Sequence, residues 1–270
     1  MTLPIILALV AVILLAWLVT AYSFLVPPKK GLPILMYHKV SDHHADGLTI
    51  PVEKLDEQFL YLRSCGYKTL FFGELTDMVK KGQRLPPKTV VITFDDAYQG
   101  FATHALPLLE KYNLKATVFI PVAHIGGTNL WDQGNDAIMS ARELKEIKKV
   151  KLVEFGLHSF HHRNFKEMTL EDMRDDLSKC ISTLDFHNLE FVRVFAYPYG
   201  GYPRKNKILL GEMKDLFREF NVDFALRIGN RINPLPFTDP YELKRIDIKG
   251  TDGFRTFKIK LRKGRMKLFS

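Results

Sequence analysis

Cysteine is scarce in this chain, which has only Cys65 and Cys180 among its 270 residues. Two cysteines so far apart make neither a disulfide framework nor a zinc ribbon, so each is expected to be a small core residue. Internal repeats and low-complexity tracts are also absent. Hydrophobic residues make up 46% of the chain and charged residues 26%, which excludes disorder. The composition predicts one large globular domain.

Charged side chains are missing altogether from residues 3–26. A helix needs about 20 apolar residues to cross a bilayer, so this run predicts a membrane span. The alternative is a cleaved signal peptide, which has an apolar core of about 7 to 15 residues behind a basic start. No lysine or arginine precedes the run, and this favours an uncleaved anchor. Residues 1–28 are therefore assigned to a membrane anchor and its linker.

The sequence indicates less directly on which side of the membrane the main domain lies. Lys29 and Lys30 come after the span, so the positive-inside rule alone leaves the main domain in the cytoplasm. That rule weakens when a long domain follows the span. We expect a single-pass protein of the cell membrane whose main domain lies outside the cytoplasm.

Positive charge is concentrated at the C-terminus. The net charge is +9, and seven of the cations lie in residues 255–270. Aromatic and aliphatic residues alternate with them, which predicts a basic amphipathic tail suited to anionic lipid. The alternative is a final helix that packs on the domain through its apolar stripe. No nucleic-acid reader motif accompanies the tail, so no nucleic-acid partner is expected.

Strand-like runs alternate with helical stretches between the anchor and the tail. Ser140 with Glu143, and Thr169 with Asp172, match capping boxes and predict two helix starts. Alternating segments of this kind predict a distorted (β/α) barrel of about seven parallel strands over residues 29–254, with an open doubly wound sheet as the alternative. The runs cover residues 34–40, 89–96, 115–122, 152–159, 193–200, 222–229 and 243–250.

Reactive side chains gather near the ends of several predicted strands. His158 and His162 are four residues apart after one of them, and with a carboxylate they make the ligand set of a catalytic zinc-type site. His161 is also present, so spacing alone does not fix the partner of His158. A solvated turn is the alternative.

Two adjacent carboxylates, Asp95 and Asp96, end the run at residues 89–96. Alternation along a strand sends neighbours to opposite faces, so both serve one site only if the strand ends between them. One carboxylate could then bind an ion while the other acts as a base. The alternative is a helix-capping aspartate beside a surface one.

Three motifs taken together resemble a known family. TVVITFDDAY, EFGLHSFHH and FAYPYGGY, in this order, resemble the polysaccharide deacetylases, also called NodB-homology proteins or family 4 carbohydrate esterases. MYHKV and LKRIDIKG resemble the branch that deacetylates poly-N-acetylglucosamine. The resemblance covers residues 32–250. It implies a hydrolase that uses a divalent metal ion, with zinc expected, to remove N-acetyl groups from an amino-sugar polymer or oligosaccharide.

Two other functions stay open at this point. One is a deacylase or deformylase of a polyprenyl-linked sugar, for which a membrane anchor would hold the protein beside its substrate. The other is a glycan-binding module without activity. Retention of both aspartates and both histidines argues against the second alternative.

The resemblance implies a role for each matching residue. The base is Asp95, and His38 of the MYH run is the general acid. The PYG segment, with Pro198 and Tyr199, binds substrate, and the Tyr199 amide helps to hold the oxyanion. Trp131 resembles a tryptophan near the cleft. The implied metal ligands are Asp96, His158 and His162.

This chain also departs from the family pattern at two places. Ala196 stands where the family has an arginine that orients the base. Leu243, Lys244 and Arg245 stand where it has a leucine-x-histidine motif, so the customary acid is missing. This loss places the role of general acid on His38.

Overall fold

The structure is a computed structural model that describes residues 2–21, 29–132 and 134–264. For residues 16–21 it describes the backbone only. Its strands are β1 (Ile34–Tyr37), β2 (Lys39–Ser41), β3 (Thr49–Pro51), β4 (Lys68–Thr69), β5 (Thr89–Phe94), β6 (Ala116–Ile120), β7 (Val153–Leu157), β8 (Val194–Ala196), β9 (Phe224–Ile228) and β10 (Leu243–Asp247). Its α-helices are α1 (Leu3–Ala21), α2 (Val52–Ser64), α3 (Phe72–Lys80), α4 (Leu106–Tyr112), α5 (Ala141–Lys148), α6 (Leu170–Phe186), α7 (Lys207–Glu219) and α8 (Phe254–Lys263).

Seven parallel strands close into a barrel in the order β1-β10-β9-β8-β7-β6-β5, and β5 pairs back with β1. Leu35 of β1 pairs with Ile246 on one side and with Ile92 on the other, which closes the ring. The short strand β4 joins β5 at Thr89 and Val90. The predicted barrel of about seven strands is therefore confirmed, and its strands fall within the seven predicted runs.

Strands β1, β5, β6 and β8 are buried on both faces, which is why they read as continuous runs without charge. Leu35, Ile92 and Phe155 face outward and belong to the large apolar cluster shared with the surrounding helices. The lumen is filled at its amino-terminal end by α3, whose Phe72 ring lies 6.1 Å from Phe119 and 6.2 Å from the ring of Phe224. The carboxyl end of the barrel is left open for a site.

Two helix starts match the capping boxes in the sequence. The Ser140 hydroxyl accepts a hydrogen bond from the Glu143 amide, and the Glu143 carboxylate accepts one from the Ser140 amide at 2.8 Å. Thr169 and Asp172 make the same reciprocal pair at the start of α6. Both predicted helix starts are confirmed. They belong to α5, which precedes β7 in the chain, and to α6, which follows it.

The predicted membrane span lies partly outside the described residues. Helix α1 (Leu3–Ala21) covers part of residues 3–26, and its side chains are described as far as Leu15. Among the described residues, no helix is both long and apolar enough to cross a bilayer, so the span is not confirmed.

The basic C-terminal segment begins with a helix that packs on the domain. The rings of Phe254 and Phe257 in α8 lie 5.5 and 6.3 Å from the ring of Tyr61 in α2. Lys260 is buried and donates hydrogen bonds to the Asp247 carbonyl and the Asp252 carboxylate. For residues 254–263 this favours the packed helix over a free lipid-binding tail. Residues 265–270 lie outside the described residues.

Candidate active site

Strand β5 ends at Phe94, immediately before the two aspartates. The Asp95 amide still donates to the Tyr37 carbonyl of β1 at 2.9 Å, whereas Asp96 and Ala97 have φ angles of 70° and 53°. This left-handed turn breaks the strand alternation, so both carboxylates reach the same cavity. The break in strand conformation between Asp95 and Asp96, which a shared site requires, is present.

The cavity has a volume of about 420 Å³ and lies over the carboxyl ends of the barrel strands. It collects side chains from the segments that follow β1, β5, β7 and β8, and from β10. Pro198 is buried in the turn that follows β8 and does not line the cavity. Of the predicted site residues, those that do line it are His38, Asp95, Asp96, Trp131, His158, His162 and Tyr199.

Asp96, His158 and His162 form a cluster that suits a metal ion. The Asp96 Oδ1 atom lies 3.4 Å from His158 Nε2 and 3.3 Å from His162 Nε2, and all three ligand atoms lie within 4.8 Å of one another. All three residues are buried, and Asp96 Oδ1 has no hydrogen-bond partner in the part of the chain that is described. A buried carboxylate oxygen without a donor, beside two imidazole nitrogens, fits a divalent cation with three protein ligands.

The backbone orients one of the two imidazoles. His158 Nδ1 lies 2.7 Å from the Ala196 carbonyl of β8 and donates its proton there, which leaves the Nε2 lone pair facing the cluster. His161, the other possible partner of His158, is exposed, and its ring contacts Phe160 and His124 instead. The geometry therefore pairs His158 with His162.

Electrostatics keep the ligand groups in forms that can bind a cation. Burial opposes ionisation of Asp96, but His158 and His162 outweigh it and hold the carboxyl pKa well below its ordinary value. Burial is the main cause of the lowered pKa of His162. Burial also acts to lower the pKa of His158, but Asp95 and Asp96 outweigh it and raise that pKa. At neutral pH the cluster therefore offers a carboxylate and, at His162, a neutral imidazole.

The second aspartate, Asp95, is held by an arginine rather than by histidines. Arg245 of β10 donates from Nη1 and Nη2 to the two carboxylate oxygens at 2.5 and 2.6 Å, and both residues are almost fully buried. Burial raises the carboxyl pKa, but Arg245, followed by His158 and His38, outweighs it and leaves the pKa below its ordinary value. Asp95 is therefore ionised and its orientation is fixed by a bidentate pair.

Arg245 is the functional residue that sequence reasoning missed. Ala196 holds the position where the family places the arginine that orients the base, and the arginine arrives instead from β10, at the position of the absent histidine. The sequence held a signal for this residue, because the run LKRID places Arg245 within a predicted barrel strand. Such a charge requires a partner.

Aromatic rings form one wall of the cavity around His162. The Trp131 ring stacks on the imidazole at a centroid distance of 4.3 Å and an angle of 23°. Tyr199 meets the same imidazole edge-on at 4.8 Å and is 57% exposed. Its φ of 58°, followed by 64° at Gly200, places the PYG turn against the cavity. Trp131 thus lines the cavity, near the cleft as the resemblance implied, and stacks on His162.

His38 lies on the other side of the base. Its Nε2 atom is 3.7 Å from Asp95 Oδ2, and the side chain is 14% exposed towards the cavity. This distance is too long for a hydrogen bond but allows both groups to reach one small substrate. The acid role of His38 and the oxyanion role of the Tyr199 amide stay predictions.

The site combines an Arg-held carboxylate with an Asp-His-His cluster at the carboxyl end of a closed parallel barrel, and comparison with known proteins indicates the family. Residues 82–214 match the family model described as polysaccharide deacetylase. The chain is 30% identical over 144 residues to the poly-beta-1,6-N-acetyl-D-glucosamine N-deacetylase of Escherichia coli K12, a match that covers 50% of this chain and 21% of that protein. Residues 82–214 therefore form a polysaccharide deacetylase domain.

A further relative matches in sequence, and two solved structures match in fold. The enzyme of the same name from Staphylococcus aureus MRSA252 is 29% identical over 173 residues, which cover 61% of this chain and 58% of that protein. The Streptococcus pyogenes deacetylase PplD, solved with acetate, has a TM-score of 0.70 at 23% identity and covers 87% of this chain and 99% of that one. IcaB from Ammonifex degensii has a TM-score of 0.70 at 22% identity, with 88% and 98% covered. The matched parts span less than two thirds of these curated relatives, and the solved structures show the fold.

Proposed function

We propose that this protein is a metal-dependent hydrolase that removes N-acetyl groups from an N-acetylated amino-sugar polymer or oligosaccharide. The observation that carries the proposal is the division between adjacent aspartates, of which Asp96 faces His158 and His162 while Asp95 is held by Arg245. Two relatives named as poly-beta-1,6-N-acetyl-D-glucosamine N-deacetylases support the substrate class.

The cluster of Asp96, His158 and His162 would hold the metal ion, and zinc suits its ligand set. When bound, a divalent cation would supply Lewis acidity that polarises an amide carbonyl and acidifies water. The His158 hydrogen bond to the Ala196 carbonyl fixes which ring nitrogen is available to it. This chain therefore contributes a preorganised ligand set rather than one assembled on binding.

The proton transfers fall to Asp95 and His38. Asp95 is ionised beside Arg245, so it accepts the proton of the attacking water. The amine of the sugar leaves readily only when protonated, and His38, partly exposed and 3.7 Å from Asp95, supplies that proton. We assign stabilisation of the oxyanion to the Tyr199 amide at the PYG turn. The products are acetate and a free amino sugar.

We also propose that residues 3–26 anchor the protein in the cell membrane with its domain outside the cytoplasm. The support is the run without charge in the sequence. A reporter active on only one side of the membrane, fused to the C-terminus, tests this. A signal from the cytoplasmic side would contradict it.

The activity is tested by acetate release from a panel of N-acetylated oligosaccharides, with metal content measured on the same sample. We expect release that stops after chelation and returns when zinc or another divalent ion is added. A polyprenyl-linked formylated sugar in the same panel tests the alternative substrate. Equal release before and after complete chelation would contradict the metal-dependent mechanism.

A further inference from the structure

A second cavity lies directly beside the active site. Its volume is about 690 Å³, and it shares Tyr199, Gly200 and Ile228 with the active-site cavity. It lies over the carboxyl ends of β8 and β9, between the turn at residues 165–167 and the start of α7. We call it the lateral groove. A chain-like substrate whose reacting unit occupies the active site would place a neighbouring unit here.

The two cavities differ in charge. Aspartates in the active-site cavity are Asp95, Asp96, Asp132 and Asp247. The lateral groove is lined by four cations and by no aspartate or glutamate among the described residues: Lys166, Arg204, Lys205 and Arg227. All the charged side chains that line the groove for the neighbouring unit are therefore positive.

These four cations make no ion pair with any residue that the structure describes. Other cations nearby do have partners, since Lys214 pairs with Asp239 and Glu242, and Arg163 pairs with Asp172. Cations brought together without counter-ions repel one another, and an anion that binds among them relieves the repulsion.

Arg227 is the most constrained of the four. It is half-buried, its Nη1 donates to the Ile228 carbonyl at 3.1 Å, and its Nε is buried without a partner among the described residues. The groove also includes Asn206, whose side chain caps α7, a helix of 13 residues with no acidic residue in its first turn. The positive end of the helix dipole adds to the field of the cations.

We propose that the lateral groove binds an anionic group, a phosphate or a carboxylate, on the substrate unit next to the sugar that loses its N-acetyl group. This inference rests on the proposed function and narrows its substrate class, because a neutral polymer of N-acetylglucosamine would leave these cations unmatched. The same field repels a free amine, so a unit already deacetylated is disfavoured in the groove.

The test compares three oligosaccharides of equal length: a neutral N-acetylglucosamine oligomer, one with a uronic acid in the neighbouring position, and one with a phosphate there. We expect kcat/KM for one of the anionic substrates to exceed that for the neutral one by about tenfold or more at low salt, through a lower KM. The advantage should shrink as salt is raised. A preference for the uronic acid substrate would identify the bound group as a carboxylate, and a preference for the phosphate substrate would identify it as a phosphate.

The Arg204→Gln/Lys205→Gln double variant should bring the ratio of anionic to neutral kcat/KM close to one. The matched control is Arg142→Gln/Lys145→Gln, which removes one arginine and one lysine from the exposed surface of α5 and should keep the wild-type ratio. A wild-type ratio near one, or an equal fall in both double variants, would overturn the inference.

Equilibrium binding of the same oligosaccharides separates this inference from the proposed function. If acetate is released from no substrate but the anionic ones still bind more tightly, and Arg204→Gln/Lys205→Gln removes that preference, the anion site stands and the deacetylase assignment fails. If acetate is released and no anionic preference appears in binding or turnover, the deacetylase assignment stands and the anion site is wrong.

Discussion

The barrel holds a buried carboxylate near each of its ends, Asp95 at one and Glu154 at the other. Asp95, at the carboxyl end, meets the guanidinium of Arg245 and opens onto the active-site cavity. Glu154, near the amino end, accepts hydrogen bonds from the Phe72 and Gly73 amides at 2.5 and 3.2 Å. Helix α3, which begins there, closes the lumen.

The partners of the two carboxylates decide what each can do. A full positive charge overcomes the cost of burial at Asp95, and the carboxyl pKa falls below its ordinary value. At Glu154, burial has the largest effect on the carboxyl pKa and raises it. The hydrogen bonds from the Thr117 hydroxyl and the two amides lower the pKa by less, so the pKa lies above its ordinary value. One buried acid is therefore charged and available for chemistry, whereas the other completes the hydrogen bonds of a helix start.

The largest expected effect comes from removing the charge of Asp95. Asp95→Asn keeps the shape of the side chain but leaves no base for the attacking water, so kcat for acetate release should fall by about 10²- to 10⁴-fold. Glu154→Gln, the same change at the other end of the barrel, should keep acetate release close to wild type. Wild-type activity in Asp95→Asn would show that the two carboxylates do not differ in the way described.

Removing the partner of Asp95 should affect both activity and stability. Arg245→Met leaves a buried carboxylate without its counter-charge, which costs about 3–5 kcal/mol of unfolding free energy. Because Arg245 lowers the pKa of Asp95, its loss raises that pKa, and the acidic limb of the kcat/KM profile should move to higher pH. Denaturant unfolding and pH–rate profiles measure the two effects.

Arg245→Lys is the matched control, since it keeps the charge and loses the bidentate geometry. We expect its acidic limb to stay nearer to that of the wild type and its kcat to be intermediate. If Arg245→Met reduces stability but leaves the pH profile in place, Arg245 serves packing and does not tune the base.

A smaller effect is expected at Glu154, and on stability alone. Glu154→Leu removes the acceptor of the Phe72 and Gly73 amides, so the unfolding free energy should fall by about 1–3 kcal/mol. Glu154→Gln retains an acceptor and should lose less. Acetate release per folded molecule should not change in either variant, and a large loss of kcat would contradict the structural role.

The smallest effect is a dependence of stability on pH. Because burial raises the pKa of Glu154 in the folded state, the folded protein binds this proton at a pH where the unfolded chain has released it. The contribution of Glu154 to stability is thus present below its ordinary pKa and declines as pH rises through the folded value. Relative to Glu154→Gln, wild-type stability should decline as pH rises above the ordinary glutamate pKa; a rise would contradict the assigned direction.

Sequence reasoning found the barrel because strand-like runs alternate with helical stretches along the chain, and each run is a property of a few neighbouring residues. The grouping of Asp96 with His158 and His162 was also predicted, but it came from the family resemblance. Spacing alone did not decide whether His161 or His162 is the partner of His158. Arg245 was missed because its partner Asp95 lies 150 positions earlier and the two meet only when β10 and β5 flank β1. Closure of the barrel, rather than any local pattern, creates that pair.

The lateral groove could not be predicted for the same reason. Its cations come from three segments, with Lys166 after β7, Arg204 and Lys205 after β8, and Arg227 on β9. None of them belongs to a motif. For the C-terminal helix the sequence left two alternatives, lipid binding through its cations or packing through its apolar stripe, and Phe257, at 0% exposure, packs into the domain.

The most direct test of the account measures bound metal and acetate release in Asp95→Asn and Asp96→Asn side by side. Both variants should lose acetate release, but only Asp96→Asn should lose the metal, because Asp96 faces the two histidines and Asp95 is held by Arg245. Equal metal content in the two variants, whether retained or lost in both, would contradict the assignment of one aspartate as ligand and its neighbour as base.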